Sequence, residues 1–110
     1  MESTTVMKMY RPVEITLRKI TWEDDAIGQH IANFTDRNVM ANRGSITRNE
    51  FFSSQQVGLR PEFMLTVYSG DYENEHLVVV DGEEYEIYRS YERPDNDRTE
   101  LYLKKVAANE

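Results

Sequence analysis

The dipeptide Asp81-Gly82 constrains this chain more than any other feature. It sits between the apolar run Leu77-Val78-Val79-Val80 and residues 83–91, which alternate in character. Asp-Gly favours the positive φ angles of a type I′ turn, whose twist matches two antiparallel strands. The pattern therefore predicts a β-hairpin, and with it an antiparallel sheet. In the second arm, the period of two assigns Tyr85, Ile87 and Arg89 to one face and Glu86, Tyr88 and Ser90 to the other.

Other segments carry the same signature. Val13-Glu14-Ile15-Thr16-Leu17-Arg18 alternates apolar and polar. Residues 32–41 read as a second strand with weaker alternation. Residues 63–68 read as a third, followed by turn chemistry in Ser69-Gly70-Asp71. Glu100-Leu101-Tyr102-Leu103-Lys104 closes the series, with Leu101 and Leu103 on one face. Residues 22–29 are acidic and contain Gly28, so they read as a loop or wide turn, as does Arg93-Pro94-Asp95-Asn96-Asp97. Residues 1–12 read as a polar leader and 107–110 as a tail, leaving one domain over 13–106.

One helix interrupts the strands. Thr47-Arg48-Asn49-Glu50 forms a capping box, in which the Thr and Glu side chains each satisfy a backbone N–H of the first turn. Phe51, Phe52, Gln55, Gln56 and Val57 continue it. Gly58 suits the left-handed position after the last turn, and Pro61 forbids continuation. About three turns is too short to be stable alone, so Phe51 and Phe52 are expected to plug a barrel end. About six strands and one inserted helix predict an all-β fold, a small antiparallel β-barrel, whose closure removes exposed edges.

Composition limits what such a barrel does. A chain of 110 residues buries about two-thirds of its unfolded surface, enough for one modest core. The absence of cysteine excludes disulfides, thiolate zinc sites and a Cys nucleophile. The N-terminus lacks the basic and apolar regions of a secretion signal. No run approaches the roughly eighteen apolar residues of a membrane span. The net charge of -7 argues against a duplex-DNA binder. That charge is uneven. Residues 37–60 hold four arginines (Arg37, Arg43, Arg48, Arg60) against Glu50, a balance of +3, whereas residues 61–103 hold twelve acids against three arginines, a balance of -9. Such asymmetry suits a protein that meets partners, or copies of itself, through different faces.

No catalytic constellation emerges. His30 and His76 lie in separate segments without metal-ligand spacing. Asp24-Asp25 and Glu83-Glu84 are adjacent pairs, which point apart on a strand. The five glycines form no phosphate-cradling run. No enzyme, metal or cofactor is expected. The competing reading is an oligonucleotide-binding barrel that stacks bases on Tyr85, Tyr88 and Tyr91, but the surrounding acids deny it a basic groove.

The stretch Ser45-Ile46-Thr47-Arg48-Asn49-Glu50-Phe51-Phe52-Ser53-Ser54-Gln55-Gln56-Val57-Gly58-Leu59-Arg60-Pro61-Glu62 resembles the hallmark of the bacteriophage head–tail joining family. A Ser-rich start, an acid beside paired aromatics, a polar helix and a Gly-Leu-basic-Pro-Glu exit recur there. Asp71-Tyr72, Asp81-Gly82-Glu83-Glu84-Tyr85-Glu86-Ile87-Tyr88-Arg89 and Thr99-Glu100-Leu101-Tyr102-Leu103 extend the likeness over residues 13–105. The long acidic stretch into Gly28 departs from the family pattern.

The resemblance implies a head-closure (stopper) subunit of the virion, made in the bacterial host cytoplasm. It would be a monomer when free and join a ring of twelve beneath the portal and its adaptor. Such rings retain packaged DNA without reading its sequence, and they present the surface on which a tail-completion protein docks. A tail-completion role for this chain itself is the neighbouring alternative. The gate segment of relatives maps onto about residues 42–60. Its assembly residues would be Arg43, Ser45, Thr47, Arg48, Glu50, Phe51, Phe52, Gln55, Gln56 and Arg60. A polar helix with few apolar contacts is expected to be a low-stability unit, either loosely ordered or docked on its own barrel.

Overall fold

A computed structural model describes residues 11–106. Most of the expected leader and the expected tail fall outside these residues. Six strands are described: β1 (Arg11–Asp24), β2 (His30–Gly44), β3 (Pro61–Tyr68), β4 (Leu77–Val80), β5 (Glu83–Glu92) and β6 (Arg98–Lys105). The helix α1 (Arg48–Gln56) lies between β2 and β3, and Ser69–Asp71 forms a single 3-10 turn. All neighbouring strands are antiparallel, and the sheet closes on itself in the order β1-β2-β3-β6-β5-β4. The fold is therefore the all-β antiparallel barrel with one short inserted helix that the strand pattern predicts.

Period-two alternation builds the core. Ile15 and Leu17 of β1, Ala41 of β2, Phe63, Leu65 and Val67 of β3, Val78 and Val80 of β4, Ile87 of β5, and Leu101 and Leu103 of β6 form one buried cluster. Asp81 and Gly82 take φ angles of 53° and 81°, the double positive pair that a type I′ turn requires.

Three details depart from the sequence expectations. First, β1 begins at Arg11, not after residue 12, and runs through Trp22 to Asp24. β2 begins at His30 and ends at Gly44. Only Asp25–Gln29 form the turn, closed by Asp25, whose N–H donates to the Gln29 carbonyl and whose Oδ1 accepts from the N–H groups of Ile27 and Gln29. Continuous cross-strand hydrogen bonding outweighs the acidic composition here, because in a two-stranded ribbon both faces meet water.

Second, the alternation of β5 breaks. Ile87 pairs with Leu103, but Arg89 pairs with Tyr102, so Tyr88 is the extra residue of a β-bulge. The bulge moves Arg89 from the inward set, where its spacing from Tyr85 and Ile87 placed it, to the outer face beside Tyr88.

Third, Phe51 and Phe52 do not plug the barrel. They pack edge to face on each other, with 41% and 55% of their surfaces exposed. The end of the barrel nearer the helix is filled from the strands. There Phe63 and Tyr85 meet edge to face at 5.0 Å, and the Arg43 guanidinium lies 3.8 Å from the Phe63 ring centre. Strand residues of inward parity reach the axis directly, which leaves no room for the helix pair.

Beyond Arg18, β1 has no strand partner except β2, and before Ala41, β2 has no strand partner except β1. The excess length leaves the barrel as a two-stranded ribbon. Residues 19–24 alone extend it by about 20 Å at the usual rise per residue, in keeping with principal extents of 62 × 31 × 28 Å. The barrel and the ribbon should answer mutation differently. Leu101→Ala, in the barrel core, should cost about 2–5 kcal/mol in urea unfolding. Thr21→Ala, on the exposed ribbon, should change stability by no more than about 0.5 kcal/mol.

Candidate functional site

The two ends of the barrel are built differently. At the ribbon root, Arg37 lies opposite Leu17, a position that faces inward. Its Nη2 donates to Glu75 Oε2 at 2.7 Å and to the Asp71 carbonyl at 2.6 Å. Glu75 is only 2% exposed, and its Oε1 accepts the Glu73 N–H at 2.9 Å. Tyr72 packs on the core and donates to the Glu75 carbonyl at 2.8 Å. Ser69 and Thr99 share a hydrogen bond at 2.8 Å. A polar plug thus seals this end and joins the ribbon to the loop after β3. Burial opposes the charge of Glu75, but the hydrogen bonds from Arg37 and the Glu73 N–H outweigh it and hold the carboxyl below its ordinary value.

At the other end, only the Thr47 half of the expected capping box forms. Thr47 Oγ1 accepts the Glu50 N–H at 3.2 Å, and Gly58 follows the helix with φ of 83°. The Glu50 carboxylate, however, turns to the barrel and not back to the cap. Its Oε1 accepts from Arg89 Nη2 at 2.6 Å and its Oε2 accepts from Tyr88 Oη at 2.8 Å. Burial raises the pKa of Glu50, yet Arg89 and Tyr88 together bring it below the ordinary value. Arg89 also stacks 4.2 Å from the ring centre of Tyr102. Tyr102 is itself buried and donates to Glu100, and burial followed by that bond pushes its hydroxyl up to about 12. The bulge at Tyr88 makes this latch possible, since it presents two consecutive β5 side chains to one carboxylate.

The latch orients α1 against its sequence character. Ser54 is its buried residue, donating to the carbonyls of Glu50 and Phe51. Phe51, Phe52 and Val57 face solvent.

The remaining residues of the expected assembly segment separate into two groups. Arg43 is engaged on Phe63, and Arg37 in the polar plug, so neither is a spare charge. Arg48, at the start of α1, and Arg60, just before β3, are exposed and make no ion pair among the described residues. Ser45, Gln55 and Gln56 are exposed around the helix. Asn42, Arg43 and Gly44 belong to β2, so the insert proper begins at Ser45. Of the tyrosines considered for base stacking, Tyr85 is packed on the core, Tyr88 is held by Glu50, and Tyr91 is exposed.

Sequence reasoning missed the ribbon as a surface. Ile20 pairs with Phe34 and Trp22 with Ala32, so these four side chains share the ribbon face that continues the outside of the barrel. Trp22 is 66% exposed and Phe34 59%. At the root, Ile20 and Trp22 border a cleft of about 430 Å³ with Asn74, His76 and Leu77. His30 lies near the tip, with Nδ1 2.7 Å from Asp24 Oδ1. The even spacing of Ile20, Trp22, Ala32 and Phe34 was visible in the sequence, but its meaning depends on a register across the turn.

No known protein family matches this sequence, and no curated protein does.

The carboxylates of the two polar networks set the acid limit of the fold. Glu50, Glu75 and Glu100 all titrate below the ordinary value of 4.5 in the folded chain. Their contribution is complete above that value and is lost as pH falls through the lower folded values. Unfolding free energy should therefore be level from neutrality to about pH 5 and fall below it. Glu75→Gln should remove about 2 kcal/mol at pH 7 and flatten the acid decline, as read by urea titrations at stepped pH.

Proposed function

We propose that this chain is a structural subunit of a bacteriophage head-to-tail connector, of the head-closure (stopper) type. Copies form a ring beneath the portal and its adaptor, retain packaged DNA and present the surface on which the tail docks. The observation that carries this reading is the inverted helix. The insert between β2 and β3 lies outside the barrel with Phe51, Phe52 and Val57 toward solvent. A monomer gains nothing by exposing such a row, whereas a neighbouring copy or adaptor would cover it. The same insert carries the motif on which the family resemblance rests.

The charge distribution fits a DNA channel. An acidic wall repels phosphate and lets DNA slide without adhering. Arg48 and Arg60, exposed and unpaired among the described residues, supply the local positive charge that would slow it. Arg43 is less suited to this role, because its guanidinium is occupied by Phe63. The base-stacking alternative loses support, since Tyr85 packs against Phe63 in the barrel and Tyr88 is held by Glu50 of the helix.

Deleting the gene should yield filled heads that leak DNA and lack tails in electron micrographs. Normal tailed particles would overturn the reading. A finer test is Arg48→Glu with Arg60→Glu. The purified variant should unfold within about 0.5 kcal/mol of the parent, because both positions are exposed, while particles carrying it should lose packaged DNA. Full retention and infectivity would remove the two arginines from the proposal.

A further inference from the structure

The two apolar surfaces lie at opposite ends of the barrel, and their charges are opposite. β1 runs toward the ribbon, so the turn at residues 25–29 marks one end. β3 begins and β6 finishes at the other, where Arg60, Lys104 and Lys105 gather. At the tip, Ile27 is 77% exposed and is flanked in sequence by Glu23, Asp24 and Asp25. At the far end, a cleft of about 300 Å³ is lined by Leu59, Arg60, Glu62, Lys104, Lys105 and Val106. An exposed aliphatic that follows three acids in sequence thus has its counterpart in an aliphatic cleft rimmed by Arg60, Lys105, the Glu86-paired Lys104 and Glu62. Of the acids on β5 at that end, Glu86 lies beside Lys104, its Oε1 3.8 Å from Nζ, and Glu84 accepts from Arg18 on β1, which leaves Arg60 and Lys105 as the cations of the cleft without an ion pair among the described residues.

From this pairing we infer that the ribbon of one copy docks head to tail on the helix-bearing end of the next. The tip, with Ile27, enters the cleft between Leu59 and Val106. The Ile20, Trp22 and Phe34 face then lies toward Phe51, Phe52 and Val57 of the same neighbour. The occupant is a second copy of this chain, because each surface carries what the other lacks. Two tips facing each other would bring like charges together, and so would two clefts. Such a contact is heterologous, so it propagates from copy to copy and closes into a ring when the rotation per step allows. The inference rests on the reading of the chain as a ring subunit and names the surfaces that make the ring.

The chain has no cysteine, which allows a clean disulfide test. Ala26→Cys places a thiol at the tip and Val106→Cys one at the cleft, both on exposed positions. Oxidising a mixture of the two single variants at high concentration should give mixed dimers in excess over either homodimer. Glu23→Lys with Asp24→Lys on the tip partner should cut that yield roughly tenfold, as expected for two exposed ion pairs. Lys104→Glu with Lys105→Glu on the cleft partner should do the same, and combining both reversed partners should restore it. Homodimers equal to or exceeding mixed dimers, no mixed dimer at all, or no restoration in the double reversal would each overturn the docking. The ring reading is judged separately, on particles from the gene deletion. A normal deletion phenotype defeats that reading whatever the crosslinks show.

Discussion

The pairing of Ile15–Arg18 with Leu77–Val80 is the constraint on which the rest of the structure depends. It joins the first strand to the fourth and turns an open sheet into a ring. Closure assigns every alternate residue to the inside and so collects side chains from all six strands into one core. It also removes the two strand edges that a small open sheet would offer to any passing chain. Only four residue pairs make this seam, and they lie in the middle of a fourteen-residue strand. The rest of β1 has nowhere to go within the barrel, so it leaves as a ribbon with β2.

The ends of the ring pose a second problem, because a small barrel must be stopped at both. At one end aromatic strand residues meet under an arginine. At the other, a nearly buried carboxylate binds an arginine of inward parity. Such a pair gives modest net stability, since desolvation offsets much of the attraction. Its geometric effect is clear: it ties the root of the ribbon to the loop after β3. The latch from Glu50 to Tyr88 and Arg89 has the same character. It holds the helix by hydrogen bonds to one carboxylate and leaves the aromatic side chains of that helix uncovered. A docking made this way is specific in position yet lacks broad apolar contact, as suits a segment proposed to be covered on assembly.

Together these features give a closed barrel with an exposed apolar surface at each end. The ribbon carries exposed tryptophan, phenylalanine and isoleucine with an acidic tip. The helix end carries phenylalanines and valine with basic residues. A polar surface interrupted by two apolar patches of opposite charge suits assembly in one direction, and it is the physical content of the proposed connector role.

Much of this architecture was legible in the residues. Asp81-Gly82 determined its turn, because few sequences tolerate two successive positive φ angles. Thr47 to Gly58 determined the helix and both its limits through capping chemistry. The alternation of β1, β3 and β6 determined their inward faces, and so the barrel class. What the residues could not reveal depended on contacts distant in the chain. The bulge at Tyr88 follows from the register of β5 on β6. The placement of Phe51 and Phe52 follows from Glu50 meeting a partner thirty-nine residues away. The acidic segment at 22–29 looked like a loop because composition reports average solvent exposure, and an isolated ribbon is as exposed as a loop. Local sequence decides what a short stretch can form by itself. Only the closed ring decided which strand length was surplus, which aromatic filled the barrel and which was left outside, because those outcomes depend on how much space the other strands had already taken.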